Sequence, residues 1–156
     1  MASEEEESLN LQQQETSLSW AESRFSQLSA VANSPSHLLQ ISPASLAYLG
    51  DAVYELYIRT CYLLPPRRLK DYHCRVVDQV RAETQAAILR ELEPYITDSE
   101  QEILRRGRNA ATGSPRRLDP KIYQQASSLE TLIGYLYLTN PQRLTLLLAN
   151  LTLDPN

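Results

Sequence analysis

From residue 41 onward, apolar residues recur at spacings of three and four, and this periodicity limits the fold more than any other feature. Leu46, Leu49, Val53 and Leu56 follow it, and such spacing puts apolar side chains on one face of an α-helix. The chain has only four glycines in 156 residues, which disfavours a fold built on tight β-turns. No stretch alternates polar and apolar residues as a half-buried strand would. The sequence therefore predicts an all-α domain.

Capping signals predict where the helices begin and end. Residues 97–100 read Thr-Asp-Ser-Glu, a capping box that opens a helix. A proline follows a good cap residue at the start of three other segments. The predicted helices cover residues 43–63, 68–80, 82–93 and 97–106, followed by one that starts at Asp119-Pro120 and one from Asn140-Pro141 through Leu148. The basic stretch 107–118 is predicted to be a loop.

The first 40 residues differ in composition from the rest of the chain. Residues 1–16 are rich in Glu, Gln and Ser and offer little to bury, so we expect them to be disordered. Residues 17–34 are compatible with a short helix around Trp20. We therefore divide the chain into an acidic N-terminal extension, residues 1–40, and one folded domain, residues 41–156.

Two observations bear on the compartment. No apolar run approaches the length of a membrane span, and no basic segment precedes an apolar one as in a secretory signal. Cys61 and Cys74 form no CxxC motif, which favours reduced thiols in a cytosol-like compartment. We expect a protein that does not enter a membrane.

The charge is distributed unevenly. The net charge is −4, but residues 1–40 hold six acids and one base, whereas residues 41–156 hold thirteen acids and fourteen bases. Residues 104–121 alone carry six bases against Asp119. A concentrated basic patch points to a polyanionic partner more reliably than the total charge does.

Two carboxylates stand in otherwise apolar helical segments. Asp51 follows Gly50, and Glu130 precedes Gly134 by one helical turn. A glycine inside a helix costs about 1 kcal/mol relative to alanine, so each glycine indicates a close packing contact. If the two helices approach there, the carboxylates face each other and need a cation between them. Oxygen ligands of this kind suit Mg²⁺, and Mg²⁺ beside a basic patch suggests hydrolysis of a phosphodiester.

The same residues have a simpler interpretation. Each acid is then a solvated side chain or the partner of an arginine, as most helical acids are. The sequence pattern alone favours this simpler interpretation, but it does not exclude the metal site.

Two motifs resemble the ribonuclease III family. Residues 46–53 read LAYLGDAV and are similar to the signature helix of that family, and residues 130–138 read ETLIGYLYL and are similar to its second acidic helix. The run RRGRNA at residues 105–110 resembles the small branch called Mini-ribonuclease III. The resemblance covers about residues 41–150.

The resemblance implies a fold, an activity and partners. Ribonuclease III catalytic domains are helical bundles that form homodimers and cut both strands of double-stranded RNA with Mg²⁺. The Mini branch lacks the usual double-stranded RNA-binding domain and is associated with maturing the ends of the 23S ribosomal RNA precursor. A ribosomal protein that presents the substrate would fit this role, in the cytoplasm or, for an organellar protein, the plastid stroma.

The resemblance also assigns residues. Asp51 matches the catalytic aspartate and Glu130 the metal-binding glutamate, so both are expected to hold Mg²⁺. The family has two further carboxylates, at positions that are Ala47 and Ser127 here. Their absence supports a rival interpretation, a catalytically inactive RNA-binding or ribosome-assembly module that keeps the fold.

The basic run supplies the candidate RNA contacts. Arginine and asparagine can hold phosphates and 2′-hydroxyls of duplex RNA. The alternative is that these arginines complement the dipole at a helix C-terminus, with Gly107 as the cap. Because further bases follow, we favour RNA contacts at Arg105, Arg106, Arg108 and Asn109.

Overall fold

A computed structural model describes residues 34–153 and, before them, residues 23, 24, 26–28 and 30. The backbone falls into two units, residues 1–40 and 41–156. In the first unit, helix α1 spans Pro35–Gln40, and the described residues between 23 and 30 are helical. The predicted disorder of residues 1–16 and the position of Trp20 lie outside the described residues.

Six further helices build the second unit, and residues 34–153 contain no strand, which confirms the predicted all-α class. A 3-10 turn, Glu93–Tyr95, separates two of the helices. The helices are α2 (Pro43–Tyr62), α3 (Leu69–Val80), α4 (Ala82–Leu92), α5 (Asp98–Ala110), α6 (Pro120–Thr139) and α7 (Pro141–Leu148).

Helix α6 is the centre of this unit. It packs against α2, α4, α5 and α7, and apolar residues occur around most of its circumference, as expected of a helix surrounded by others. Asp119 caps its first turn, accepting a hydrogen bond from the backbone of Lys121 at 2.9 Å. Its buried residues are Ala126, Ser128, Leu129, Thr131, Leu132, Ile133, Gly134 and Leu136.

Helices α2 and α6 touch backbone to backbone at the two helical glycines. A Cβ atom built on Gly50 would lie 1.8 Å from the carbonyl oxygen of Glu130, and one on Gly134 would lie 2.0 Å from the carbonyl oxygen of Leu46. Real atoms cannot approach so closely, so no side chain fits at either position. The close packing inferred from these two glycines is therefore confirmed.

Helix α5 is longer than predicted. It continues through Gly107 to Ala110, so the prediction of a helix that ends at Arg106 and a loop that begins at Gly107 is wrong. The alternative in which Gly107 caps the helix is excluded as well. Gly107 is buried, and a Cβ there would lie 2.5 Å from Oγ1 of Thr131. The glycine is present because α5 lies close to α6 at this position, and not because the helix ends there.

The start of α5 is held by a partly buried ion pair. Thr97 and Glu100 form the predicted capping box, and the Glu100 carboxylate also accepts hydrogen bonds from Arg143 of α7, at 2.7 and 3.0 Å. This pairing lowers the pKa of Glu100, despite its burial. The ion pair thus holds the start of α5 against α7.

The glycine contact predicts a large effect of one methyl group. We expect Gly50→Ala to lower the free energy of unfolding by about 3 kcal/mol or more, because the obstacle is the backbone of α6 and cannot rotate away. Urea denaturation followed by circular dichroism measures the change.

Gly113→Ala is the matched control. A Cβ atom at Gly113 would meet no atom of the described residues within 4 Å, and the backbone there has φ 75°. Alanine at this position therefore meets only backbone strain of about 1–2 kcal/mol. A Gly50→Ala protein as stable as Gly113→Ala would contradict the proposed helix contact.

Candidate active site

Helices α2, α5 and α6 enclose an open cavity of about 350 Å³. Asp51 of α2 and Glu130 of α6 both line it. They meet there because Gly50, next to Asp51, lies against the backbone of Glu130 itself. The structure thus brings together the two carboxylates that the sequence singled out, at the point where their helices touch.

The electrostatics of the cavity oppose two negative charges. Burial and the neighbouring charge of Asp51 raise the pKa of Glu130 to about 7, although the Gln85 amide acts in the other direction. Burial, followed by the charge of Glu55, raises the pKa of Asp51. A cation in the cavity would relieve this repulsion by favouring the ionised forms.

The two departures from the family pattern lie in the same cavity. Ala47 is one turn before Asp51, Ser127 is almost one turn before Glu130, and both line the cavity wall. In the described part of the chain no group of three or more His, Cys, Asp or Glu side chains could hold a metal. The cavity therefore offers two carboxylates and short neutral side chains.

This donor set fits Mg²⁺. The ion is commonly held by one or two carboxylates and keeps several of its water ligands. A cavity of about 350 Å³ with short side chains at Ala47 and Ser127 leaves room for those waters. Asp51 and Glu130 are the residues that would hold the ion.

Glu55, one turn after Asp51, belongs to the helix surface. Its Oε1 atom accepts hydrogen bonds from Arg59, at 2.6 Å from Nη2 and 3.2 Å from Nε. The carboxylate is thus engaged in an ion pair along α2, which agrees with a solvated role better than with a role at the metal.

The predicted RNA contacts lie on α5, whose Gly107 and Ala110 line the cavity. Arg105, Arg108 and Asn109 are exposed and Arg106 is partly buried. Arg105 also pairs with Glu102 at 2.6 Å, and Arg108 lies in the last turn of the helix. All four residues are therefore helical. Arg108 and Asn109, which fell in the predicted loop, belong to the last turns of α5.

Sequence reasoning assigned no role in the site to Gln85. The residue, on α4, is 1% exposed, its Nε2 atom donates to the carbonyl oxygen of Val80 at 3.0 Å, and its amide opposes the rise in the pKa of Glu130. A signal was present, because Gln85 occupies the position that continues the stripe of Leu89 and Leu92 by one turn. A glutamine in an apolar stripe needs polar partners inside the protein.

No helix in the described residues is long and apolar enough to cross a membrane.

Comparisons with known proteins point to one family. The Ribonuclease III domain matches residues 44–141. The Mini-ribonuclease 3 of Synechocystis sp. is 64% identical over 109 residues, which are 70% of this chain and 76% of that protein. The Mini-ribonuclease 3 of Gloeobacter violaceus is 49% identical over 114 residues, 73% of this chain and 84% of that protein.

A solved structure has the same fold. The crystal structure of a protein from Fusobacterium nucleatum is 32% identical and superimposes with a TM-score of 0.59, covering 62% of this chain and 79% of that one. The family match spans most of residues 41–150, where the sequence motifs lie. The chain belongs to the ribonuclease III family, in its Mini-ribonuclease III branch, and is an endoribonuclease.

Proposed function

We propose that the protein cleaves double-stranded RNA with Mg²⁺, which Asp51 and Glu130 hold. The observation that carries the proposal is the pairing of these two carboxylates in one cavity, next to the arginine-bearing helix α5. The ribonuclease III family supplies the substrate class. Repulsion between the carboxylates gives the cavity a preference for a cation.

The residues of the cavity divide the work of hydrolysis. When bound, Mg²⁺ supplies Lewis-acid polarisation of a phosphate oxygen and activation of a water molecule. Asp51 of α2 and Glu130 of α6 would hold the ion in the cavity between these helices. Ala47 and Ser127 keep the cavity wide enough for a phosphate and water to enter together.

Helix α5 is the proposed contact to the RNA backbone. Arg105, Arg106, Arg108 and Asn109 can bind phosphates and 2′-hydroxyls, which is how duplex RNA is recognised by shape. Because these contacts are electrostatic, we expect affinity to fall steeply with salt.

A homodimer is the proposed assembly. Tyr48 is 86% and Leu56 63% exposed, and two helical turns along α2 separate them, so they share a face with the exposed Ala52. Large apolar residues exposed together favour a protein partner, and we propose a second copy. A two-fold axis would offer two cavities to the two antiparallel strands of one duplex.

The finer role follows from the family resemblance. We propose that the substrate is the 23S ribosomal RNA precursor, whose paired ends the enzyme matures, with a ribosomal protein presenting them. The cytoplasm, or the plastid stroma for an organellar protein, is the proposed location. Ala47 and Ser127 favour the competing candidate, an inactive RNA-binding module of the same fold.

Substitution of Asp51 separates these two candidates. We expect Asp51→Asn to reduce Mg²⁺-dependent cleavage of a labelled RNA duplex and of a 23S precursor end-stem by about 100-fold or more, because a ligand of the metal is lost. Glu91→Gln, at an exposed position of α4, is the control and should cleave normally. Binding of both RNAs by the wild-type protein without any cleavage would favour the inactive module.

The pKa of Glu130 predicts how stability depends on pH. On folding, the pKa of the Glu130 carboxyl rises from 4.5 to about 7. The free energy of unfolding of the protein therefore falls as the pH rises through that interval, because this carboxyl ionises less readily in the folded state. In EDTA we therefore expect Glu130→Gln to raise the melting temperature at pH 8 and to change it little at pH 5. At pH 8, Mg²⁺ should reduce the difference in melting temperature between the two proteins, because it stabilises the wild-type protein.

Thermal denaturation followed by circular dichroism measures this effect, with Glu91→Gln, at an exposed position of α4, as the control. An equal change in melting temperature at pH 5 and pH 8 would contradict the assigned repulsion.

The α5 contacts predict a change in salt dependence. We expect Arg108→Ala to weaken duplex RNA binding and to reduce the slope of log affinity against log salt by about 1, as for one lost phosphate contact. Arg90→Ala, an exposed arginine of α4, should leave the slope unchanged. Fluorescence anisotropy over a salt series measures both, and equal slopes for all three proteins would remove Arg108 from the interface.

A further inference from the structure

Tyr123 lines the cavity on the same face of α6 as Glu130, two helical turns closer to the start of the helix. The residues of α6 that line the cavity are Tyr123, Ser127, Glu130 and Thr131. Steps of four and three residues keep Tyr123, Ser127 and Glu130 on one helical face. Because the helix rises about 1.5 Å per residue, Tyr123 lies about 10 Å from Glu130 along the axis. Tyr123 is therefore placed beside the proposed metal site and not at it.

The wall of the cavity carries negative charge without a positive side chain. Asp51 and Glu130 line it, and among the described residues no lysine or arginine does. The ion that these acids would hold offsets their charge near the phosphate that is cleaved, but the neighbouring phosphates of the same RNA strand are not bound to it. Inside the cavity, those phosphates depend on hydrogen bonds from neutral groups.

The hydroxyl of Tyr123 is available for such a bond. It makes no hydrogen bond to any residue that the structure describes, and the residue is only partly buried. Thr131 differs, because its hydroxyl already donates to the carbonyl oxygen of Ser127 at 2.7 Å. A phenolic hydroxyl is a hydrogen-bond donor, and a phosphate oxygen is the acceptor that a nucleic acid would bring to it.

Tyr123 is attached to a well-anchored turn of the helix. Its backbone nitrogen donates to the carbonyl oxygen of Asp119 at 3.0 Å, and the side chain of Asp119 caps the same turn through the backbone of Lys121. Tyrosine has only two side-chain torsions, so it loses little conformational entropy on binding. The hydroxyl can therefore bind a substrate without a large ordering cost.

We propose that Tyr123 is a substrate-binding residue, whose hydroxyl donates a hydrogen bond to a phosphate oxygen of the RNA strand beside the phosphate that is cleaved. The role rests on the proposed function, since it assumes that duplex RNA enters the cavity. The contact lies outside the reacting atoms and is the same before and during cleavage. Such a contact strengthens binding of the RNA and leaves the chemical step unchanged.

Steady-state cleavage of a labelled RNA duplex by the full chain tests this role. Tyr123→Phe keeps the ring and removes only the hydroxyl. We expect KM to rise by about 10-fold with kcat unchanged, as for one lost hydrogen bond to a charged group. Mn²⁺ affinity, measured by electron paramagnetic resonance without RNA, should equal that of the wild type, because the hydroxyl does not hold the ion.

Tyr137→Phe is the matched control. Tyr137 is another partly buried tyrosine of α6, and its hydroxyl likewise makes no hydrogen bond within the described part of the chain. It packs against the core and does not line the cavity, so the variant should cleave like the wild type. Equal KM values for the two variants would overturn the proposal. A lowered Mn²⁺ affinity of Tyr123→Phe would also overturn it, because the hydroxyl would then act on the metal site.

The wild-type protein separates failure of this role from failure of the proposed function. If it cleaves the duplex and Tyr123→Phe shares its KM, only the role of Tyr123 is overturned. If it binds the duplex without cleaving it, the enzymatic function is overturned, and the affinities of the three proteins for the duplex are compared by fluorescence anisotropy. A loss of about 10-fold confined to Tyr123→Phe would then still support the contact, and equal affinities would overturn it.

Discussion

Helices α2 and α6 meet backbone to backbone at Gly50 and Gly134, and this contact positions both the core and the cavity. A side chain at either glycine would collide with the opposite backbone, so the helices can meet only because both positions lack one. Asp51 adjoins the first glycine and Glu130 lies one turn before the second. The same contact between the two helices therefore completes the core and brings the two carboxylates to one cavity.

That closeness has an electrostatic consequence. Two carboxylates that line one cavity repel, and the pKa of Glu130 rises because ionisation is opposed by burial and by Asp51. Ala47 and Ser127 also line the cavity and add no further charge to it. The proposed divalent cation would offset the repulsion between the two carboxylates.

Local patterns predicted much of this architecture. Caps and apolar spacing indicated the helices, and the helical glycines next to Asp51 and Glu130 indicated close packing. Gly107 was misinterpreted as the start of a loop, because a glycine after arginines is typical of a helix end. In the structure, Thr131 of α6 lies so close that a side chain at position 107 would collide with it. Gln85 of α4 and Glu130 of α6 lie 45 positions apart in the chain, and no local pattern specifies that the Gln85 amide acts on the pKa of Glu130.

The proposed function requires that Asp51 and Glu130 share one metal ion. Anomalous diffraction from crystals soaked in Mn²⁺ tests it most directly, because manganese scatters anomalously and replaces Mg²⁺ at oxygen ligands. We expect a peak in the cavity within about 2.0–2.3 Å of a carboxylate oxygen of each residue. Strong peaks elsewhere and none between the two carboxylates, in a protein that cleaves RNA with Mn²⁺, would contradict it.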